Sequence, residues 1–386
     1  MLSGVNVALG VTGSIAAVRC VELAHELRRR GAEVRAVTTN SASGIVHPWA
    51  LQFATDNPVV TEITGAVEHV ELFGDDGWAD VFLIAPATAN TVGKIAAAVD
   101  DTPVTTCATT ALGAGVPVVV APAMHEPMYD HPGVLDALDR VESWGVYFAD
   151  PRIEEGKAKI AENDTIALET ARAATPSPLD GTEIIVTSGA TSEEIDPVRV
   201  LTNRASGRTG REVARACYVR GASVTLVHDG PEIPYADVRQ VESAAEMLDT
   251  TLDVATDADA LVSAAAISDY TVEAADEKIR SGKDDLTLEL SPTPKLLDTV
   301  REEVPELTIV GFKAETDPED DDALADAARG PLERAALSFI VANDARVMGE
   351  DETRALVVRA DGYDSFEGSK AELGARVAEE LVAEFD

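Results

Sequence analysis

Residues 5–39 read VNVALGVTGSIAAVRCVELAHELRRRGAEVRAVTT, and residues 183–230 read EIIVTSGATSEEIDPVRVLTNRASGRTGREVARACYVRGASVTLVHDG. Each opens on an apolar run of strand length. The first then breaks at a Gly/Ser turn and the second at a longer polar loop. Both continue as a helix with apolar residues at helical spacing and end in another apolar run, AEVRAVTT and ASVTLVH. Both helices close on Arg-Gly-Ala, where Gly31 and Gly221 supply the left-handed residue after a helix C-terminus. A strand–helix–strand unit that starts over midway predicts two tandem doubly wound α/β domains.

Further strands follow outward from these units. VFLIAP (81–86) and VPVVVAP (116–122) are apolar throughout, as parallel strands covered on both faces should be. In the second half ALVSAAAISDY (260–270), LTIVGFKAE (307–315) and SFIVAND (338–344) read as strands, followed by TRALVVRAD (353–361) and a closing helix from about Ser369. AATPSPLDG (173–181) has the Pro, Ser and Gly of a linker. The expected domains are therefore 1–174 and 180–386.

The chain has 386 residues, too many for one core, and is 45% hydrophobic with only 4% aromatics. Its core must be built from Ala, Val, Leu and Ile. The net charge of −38, from 69 acidic and 31 basic residues, repels nucleic acid and anionic membranes and excludes both as partners. The acid is spread along the chain, which reads as a surface adapted to high salt. Cys20, Cys107 and Cys217 share no metal-ligand spacing, and their odd number argues against a disulfide framework. No residue stands out as a metal ligand. The N-terminus lacks a basic leader, and no apolar run is long enough to span a bilayer, so the expected location is the cytoplasm.

GVTGSIAA (10–17) places Gly10, Gly13 and Ser14 where a strand hands over to a helix, a natural anion site. It lacks the full G-x-G-x-x-G spacing, which favours a mononucleotide over NAD. APATANT (85–91) and VVVAPAMHEPMY (118–129) put Thr88, Asn90, Thr91, Met124 and His125 after two further strands, so three strand ends point to one crevice. NRASGRTG (203–210) is a second anion-binding helix start with Arg208 beside it; the alternative is a helix capped by Ser206. His69, in VEHVELFGDDGWADVFLIAPATANT (67–91), reads on its own as a surface or half-buried imidazole.

Together these motifs resemble a known family. GVTGSIAA, HVEL…WADVFLIAPATANT and APAMHEPMY look like the flavin-dependent cysteine decarboxylases. DPVRVLTNRASGRTG, ISDY, EKI and GFKAET…AND look like phosphopantothenate–cysteine ligase. In this order they resemble the bifunctional phosphopantothenoylcysteine decarboxylase/phosphopantothenate–cysteine ligases of coenzyme A synthesis. The resemblance implies a flavodoxin-like flavin domain followed by a Rossmann-like ligase domain, and a homo-oligomer.

For the first domain it implies FMN held by Gly13, Ser14, Thr38, Thr88, Asn90 and Thr91, with Thr109 and Met124 nearby. His69 becomes the catalytic base for removing a proton during flavin oxidation of the substrate. For the second domain it implies Mg²⁺ and an acyl-cytidylate made from 4′-phosphopantothenate and CTP, which cysteine then attacks. Asn203 would hold that intermediate, and Lys278 would neutralise phosphate charge. The nucleotide-binding set would be Ser263, Ala264, Ala265, Asp269, Pro294, Lys295, Leu296, Leu297 and Phe312.

Three departures from the family pattern bear on the chemistry. His125 stands where bacterial members carry Asn. The flap DPRIEEGKAKIAEND (150–164) has no cysteine, leaving Lys157 or Lys159 as the proton donor or as an anion contact. DAARGPLERAA (326–336) lacks two nucleotide-contacting lysines, for which Arg329 and Arg334 would substitute. Two narrower readings remain: a chain in which only the ligase half works, and a nucleotide-binding sensor without catalysis.

Overall fold

The computed structural model describes residues 1–280, 286–316, 318–344 and 352–385. It divides into two units, Met1–Pro176 and Ser177–Asp386. Among the described residues no helix is long and apolar enough to cross a membrane.

The first unit is built on a five-stranded parallel sheet. Its order is Glu33–Thr38, Asn6–Val11, Val81–Ala87, Val118–Pro122, Tyr147–Phe148. This is the flavodoxin-like order, with the switch point between Asn6–Val11 and Val81–Ala87. Every residue of Val81–Ala87 is buried, as its unbroken apolar run requires. Phe73 and Phe82 meet at 4.9 Å between ring centroids and carry much of a core otherwise made of small aliphatics. The helix after Asn6–Val11 does not start at the glycine turn. A 3-10 turn, Ile15–Arg19, comes first, and the α-helix runs Cys20–Arg29. Gly31 then takes φ 97°, as its place after that helix requires.

The flap is a hairpin. Arg152–Glu154 and Lys157–Lys159 pair antiparallel around Glu155 and Gly156, whose φ angles of 53° and 69° suit the twist of a two-residue turn. The second hairpin strand also pairs with Met124–His125.

The second unit carries an eight-stranded sheet. Its order is Asp237–Gln240, Ser223–His228, Glu183–Thr187, Ala260–Ser263, Thr308–Glu315, Phe339–Asp344, Glu352–Arg359, Gly362–Ser369. The first six strands are parallel and follow the Rossmann order, and the last two are an antiparallel extension. The run 260–270 is not one strand, as its apolar character suggested, because the ladder stops at Ser263. There the chain crosses the neighbouring strand end, with the Ala264 N–H donating to the Thr187 carbonyl at 3.2 Å and the Ala266 N–H to Gly189 at 2.8 Å. The polar loop after Glu183–Thr187 contains a further hairpin, Ser192–Asp196 with Arg199–Thr202. Gly221 adopts φ 104° after the helix Arg208–Val219.

His228 ends its strand with no exposed surface, and neither ring nitrogen has a hydrogen-bond partner. Burial is the main cause holding its pKa below the ordinary 6.5, with Arg211 reinforcing it and Asp229 and Glu232 opposing it. From 6.5 down to the lowered folded value, the unfolded chain binds more protons than the folded one. This contribution to stability is therefore present above that window and lost as pH falls through it. In urea unfolding at about pH 7.5 and about pH 5.5, the wild type should lose more stability than His228→Leu. Equal losses would refute the role given to this ring.

Candidate active sites

In the first unit, side chains at the strand ends knit three loops together. The Thr12 hydroxyl donates to the Pro86 carbonyl at 2.7 Å and accepts from the Thr88 N–H at 3.2 Å. The Ser14 hydroxyl donates to the Ala123 carbonyl at 3.1 Å and accepts from the Ala16 N–H at 3.4 Å. Gly13 must lack a side chain, since a Cβ there would lie 2.5 Å from Ser41 Oγ. These ties frame a cavity of about 600 Å³ lined by Gly13, Ser14, Thr88, Met124, His125 and Lys157, together with Ile15, Arg19, Arg152 and Lys159.

The other expected flavin contacts do not reach this cavity. Thr38 is fully buried, with its hydroxyl 3.3 Å from Ser43 Oγ. Thr91 is buried in the cap of the helix Ala89–Ala96, where its N–H donates to Thr88 Oγ1 at 3.2 Å. Asn90 and Thr109 are exposed on the helices Ala89–Ala96 and Pro103–Ala114 and are not among the residues lining it.

His69 lies outside this cavity as well. It sits on the short helix Glu68–Phe73, whose preceding residue, Val67, is held at φ 52° and ψ 49°. A β-branched residue rarely adopts that conformation. The His69 Nδ1 atom is buried and has no hydrogen-bond partner.

The flap settles which lysine is available. His125 stands directly opposite Lys157 in the antiparallel register, which places their side chains within contact range of each other. Lys159 is held by Glu154 at 3.1 Å and Glu155 at 3.0 Å, and Arg152 by Glu154 at 3.1 Å and Glu162 at 2.9 Å. Lys157 makes no ion pair among the described residues. None of the three cysteines can stand in for the missing flap thiol, because burial pushes each of them up to about 12.

In the second unit a cavity of about 340 Å³ opens at the C-terminal ends of the strands, above the start of the helix Arg208–Val219. That helix is not capped by Ser206. Gly207 occupies the cap position at φ 68°, and its carbonyl accepts from Ser188 Oγ at 2.8 Å. A Cβ on Gly207 would lie 2.8 Å from the Gly189 nitrogen, and one on Gly210 would lie 2.7 Å from Ser188. Glycine at both positions lets the helix end press against the strand end. Asn203 flanks this turn, its amide donating to the Ala266 carbonyl at 3.0 Å.

Ala264, Ala265, Asp269 and Phe312 line this cavity, with Asp269 also paired to Lys295 at 2.5 Å. Ser263 is buried beneath, 3.5 Å from the Thr187 hydroxyl.

Several expected nucleotide contacts lie elsewhere. Lys278 is exposed on a loop outside the cavity, anchored through the Ile279 N–H to Asp196 at 3.0 Å. Pro294 and Lys295 lead into the helix Leu296–Glu303; Leu296 is a core residue, Leu297 packs on the core, and none of the four is among the residues lining the cavity. Arg329 is paired with Asp326, and Arg334 with both carboxylate oxygens of Asp298 at 3.0 Å. Neither arginine borders the cavity, because the helix Asp321–Arg334 turns both toward these acidic partners instead.

In their place the cavity gathers Arg204, Thr209, Lys313, Asn343, Thr353 and Lys370. Lys313 sits inside the GFKAET motif and was legible there. Asn343 was read only as a strand end, and nothing local marks Lys370.

Two doubly wound domains, each with a glycine-walled turn at its switch point, define the class as a flavodoxin-like domain fused to a Rossmann-like one. A family model described as Flavoprotein matches residues 1–174, and one described as DNA/pantothenate metabolism flavoprotein C-terminal domain matches residues 179–385. The chain is 46% identical to the Coenzyme A biosynthesis bifunctional protein CoaBC of Thermococcus kodakarensis, over 98% of this chain and 95% of that one. It is 34% identical to the protein of the same name from Methanocaldococcus jannaschii, over 99% and 94% respectively. Among solved structures, the DNA/pantothenate metabolism flavoprotein from Streptococcus pneumoniae is 27% identical, covering 53% of this chain and 100% of that one with a TM-score of 0.49. The chain belongs to the family of the bifunctional coenzyme A biosynthesis proteins.

Proposed function

We propose that the chain performs both steps that the family name joins. The C-terminal half ligates 4′-phosphopantothenate to cysteine at the expense of CTP, and the N-terminal half decarboxylates the resulting 4′-phosphopantothenoylcysteine to 4′-phosphopantetheine. The observation that carries this reading is the pair of cavities, each at the carboxyl ends of a parallel sheet beside a turn that only glycine fits.

In the C-terminal half the substrate carboxylate attacks the α-phosphorus of CTP and pyrophosphate leaves. The cysteine amine then attacks the activated carbonyl, and CMP leaves. Asn203, whose amide donates to the Ala266 carbonyl, would hold the acyl-cytidylate. Among the described residues no cluster of three His, Cys, Asp or Glu could hold a metal, so Mg²⁺ would arrive with the triphosphate.

The N-terminal cavity fits FMN. Its volume of about 600 Å³ and the strand-to-helix turn at Gly13 and Ser14 on its wall suit a phosphorylated ring system. FMN bound there would supply two-electron oxidation and its reversal. Around it, His125 donates to the substrate carboxylate, and Lys157 across the strand pair delivers the proton to the enethiolate left after CO₂ departs.

His69 accepts the first proton. Since it stands outside the cavity of its own copy, a homo-oligomer completes the site by bringing His69 of one copy to the cavity of another. Val67 and Val70 beside it are 48% and 46% exposed, and Ile15 at the cavity rim is 79% exposed, which suits an apolar contact between copies.

The expected setting is the cytoplasm of a cell with a salty interior. The test uses the full chain at high salt. It should be yellow, release pyrophosphate from CTP only with phosphopantothenate present, and evolve CO₂ after cysteine is added. Supplying phosphopantothenoylcysteine directly isolates the first half, and absence of CO₂ there leaves only the ligase. If neither pyrophosphate nor CO₂ forms, the reading fails.

A further inference from the structure

The ligase half needs positive charge where phosphates bind, yet Arg329, Arg334 and Lys278 all lie away from its cavity. The chain has only eight lysines. Two of them, Lys313 and Lys370, are on the wall of this one cavity.

Lys370 is the unusual one. It is 8% exposed, whereas a lysine normally keeps its ammonium in open water, and it lines the cavity. It is the first residue of the helix Lys370–Phe385, and that helix reaches the cavity through one close crossing. A Cβ on Gly374 would lie 2.6 Å from the Glu212 carbonyl oxygen, so the glycine lets the closing helix lie directly against Arg208–Val219. Lys370 lines the same cavity as the glycine-walled turn 204–210, together with the polar residues Asn343 and Thr353. Lys313 borders the same space and is held in place by Glu315 at 3.0 Å. Asp269 also borders it, a carboxylate that an anion would avoid unless a cation lay between them.

We propose that Lys370, supported by Lys313, binds a phosphate group of a substrate of the ligase half and so takes the place assigned above to Arg329 and Arg334. The proposal rests on the ligase reading of this cavity. The shared chemistry is a phosphate oxygen, and its source is either the nucleotide triphosphate or the phosphate monoester of phosphopantothenate.

The test measures pyrophosphate release by the full chain against each substrate in turn, in wild type, Lys370→Gln, Lys370→Arg and Lys313→Gln. Lys370→Gln should raise KM for one of the two phosphate substrates at least about tenfold, with kcat little changed and with Lys370→Arg recovering most of the loss. The substrate whose KM moves identifies the phosphate. Lys313→Gln should raise the same KM more weakly. If Lys370→Gln does not fold, Lys313→Gln carries the test, and an unmoved KM for both substrates overturns the proposal. So does a folded Lys370→Gln with both KM values within about twofold of wild type. A wild-type chain that releases no pyrophosphate is a different failure: it removes the ligase reading itself.

Discussion

His69→Asn lowers CO₂ release from phosphopantothenoylcysteine by at least about 100-fold while the protein stays yellow. A positioned general base contributes about 10²–10⁴-fold, and asparagine keeps the size and polarity of the side chain but cannot take up a proton. The structure separates the two readouts. Gly13, Ser14 and Thr88 frame the proposed flavin cavity without any contribution from His69 of the same copy. The imidazole also has no structural hydrogen bond to lose at its buried Nδ1, which has no partner. His47 and His131, by contrast, each accept a backbone N–H at the start of a helix. The check is CO₂ release with excess substrate, together with flavin absorbance of the purified variant. Turnover within about fivefold of wild type would return His69 to the role of a surface residue.

Gly374→Ala should cost the second unit stability and weaken phosphate binding at the same time. The added methyl would meet backbone, with the Glu212 carbonyl oxygen at 2.6 Å and its carbon at 2.7 Å, so no rotamer change can relieve the clash. Overpacking of this kind costs about 1–3 kcal/mol. The better helix propensity of alanine returns about 0.5–1 kcal/mol. The difference runs from about 0 to about 2.5 kcal/mol against alanine, about 1 kcal/mol at mid-range, a fall in midpoint of a few degrees for a unit of this size. Because the same crossing carries Lys370 to the cavity, KM for the phosphate substrate should rise as well. Gly113 is the control, because a methyl added there would meet nothing within 4 Å: Gly113→Ala should be neutral or slightly stabilising. A Gly374→Ala chain as stable as wild type would mean that the two helices are not pressed together at this point.

Much of this fold was legible in the letters. The solid apolar run VFLIAP could only be an interior parallel strand, and it lies at the centre of its sheet with every residue buried. The repeated Arg-Gly-Ala endings announced two helix stops, and both glycines adopt the left-handed conformation. The strands added at the edge of the second sheet were partly missed. Gly362–Ser369 carries Asp, Ser and Glu, because an edge strand exposes one face and has no need of a continuous apolar run.

The site was legible where a motif sits on a strand end and obscure where ion pairing decides. Lys157 and Lys159 look equivalent in the flap, but the hairpin hands Lys159 to Glu154 and Glu155 and leaves Lys157 facing His125. Arg329 and Arg334 carry the right charge at a plausible distance along the chain, yet their helix points them at Asp326 and Asp298.

The sequence by itself determined two doubly wound domains, the glycine turns that open them and the histidine ahead of the third strand, because strand and helix periods and backbone freedom are local properties. Only the tertiary structure decided which cations face the two cavities. A cavity wall is assembled from residues far apart in the chain, and whether a charged side chain is available there depends on which acid it meets first, a matter of geometry that no short stretch encodes.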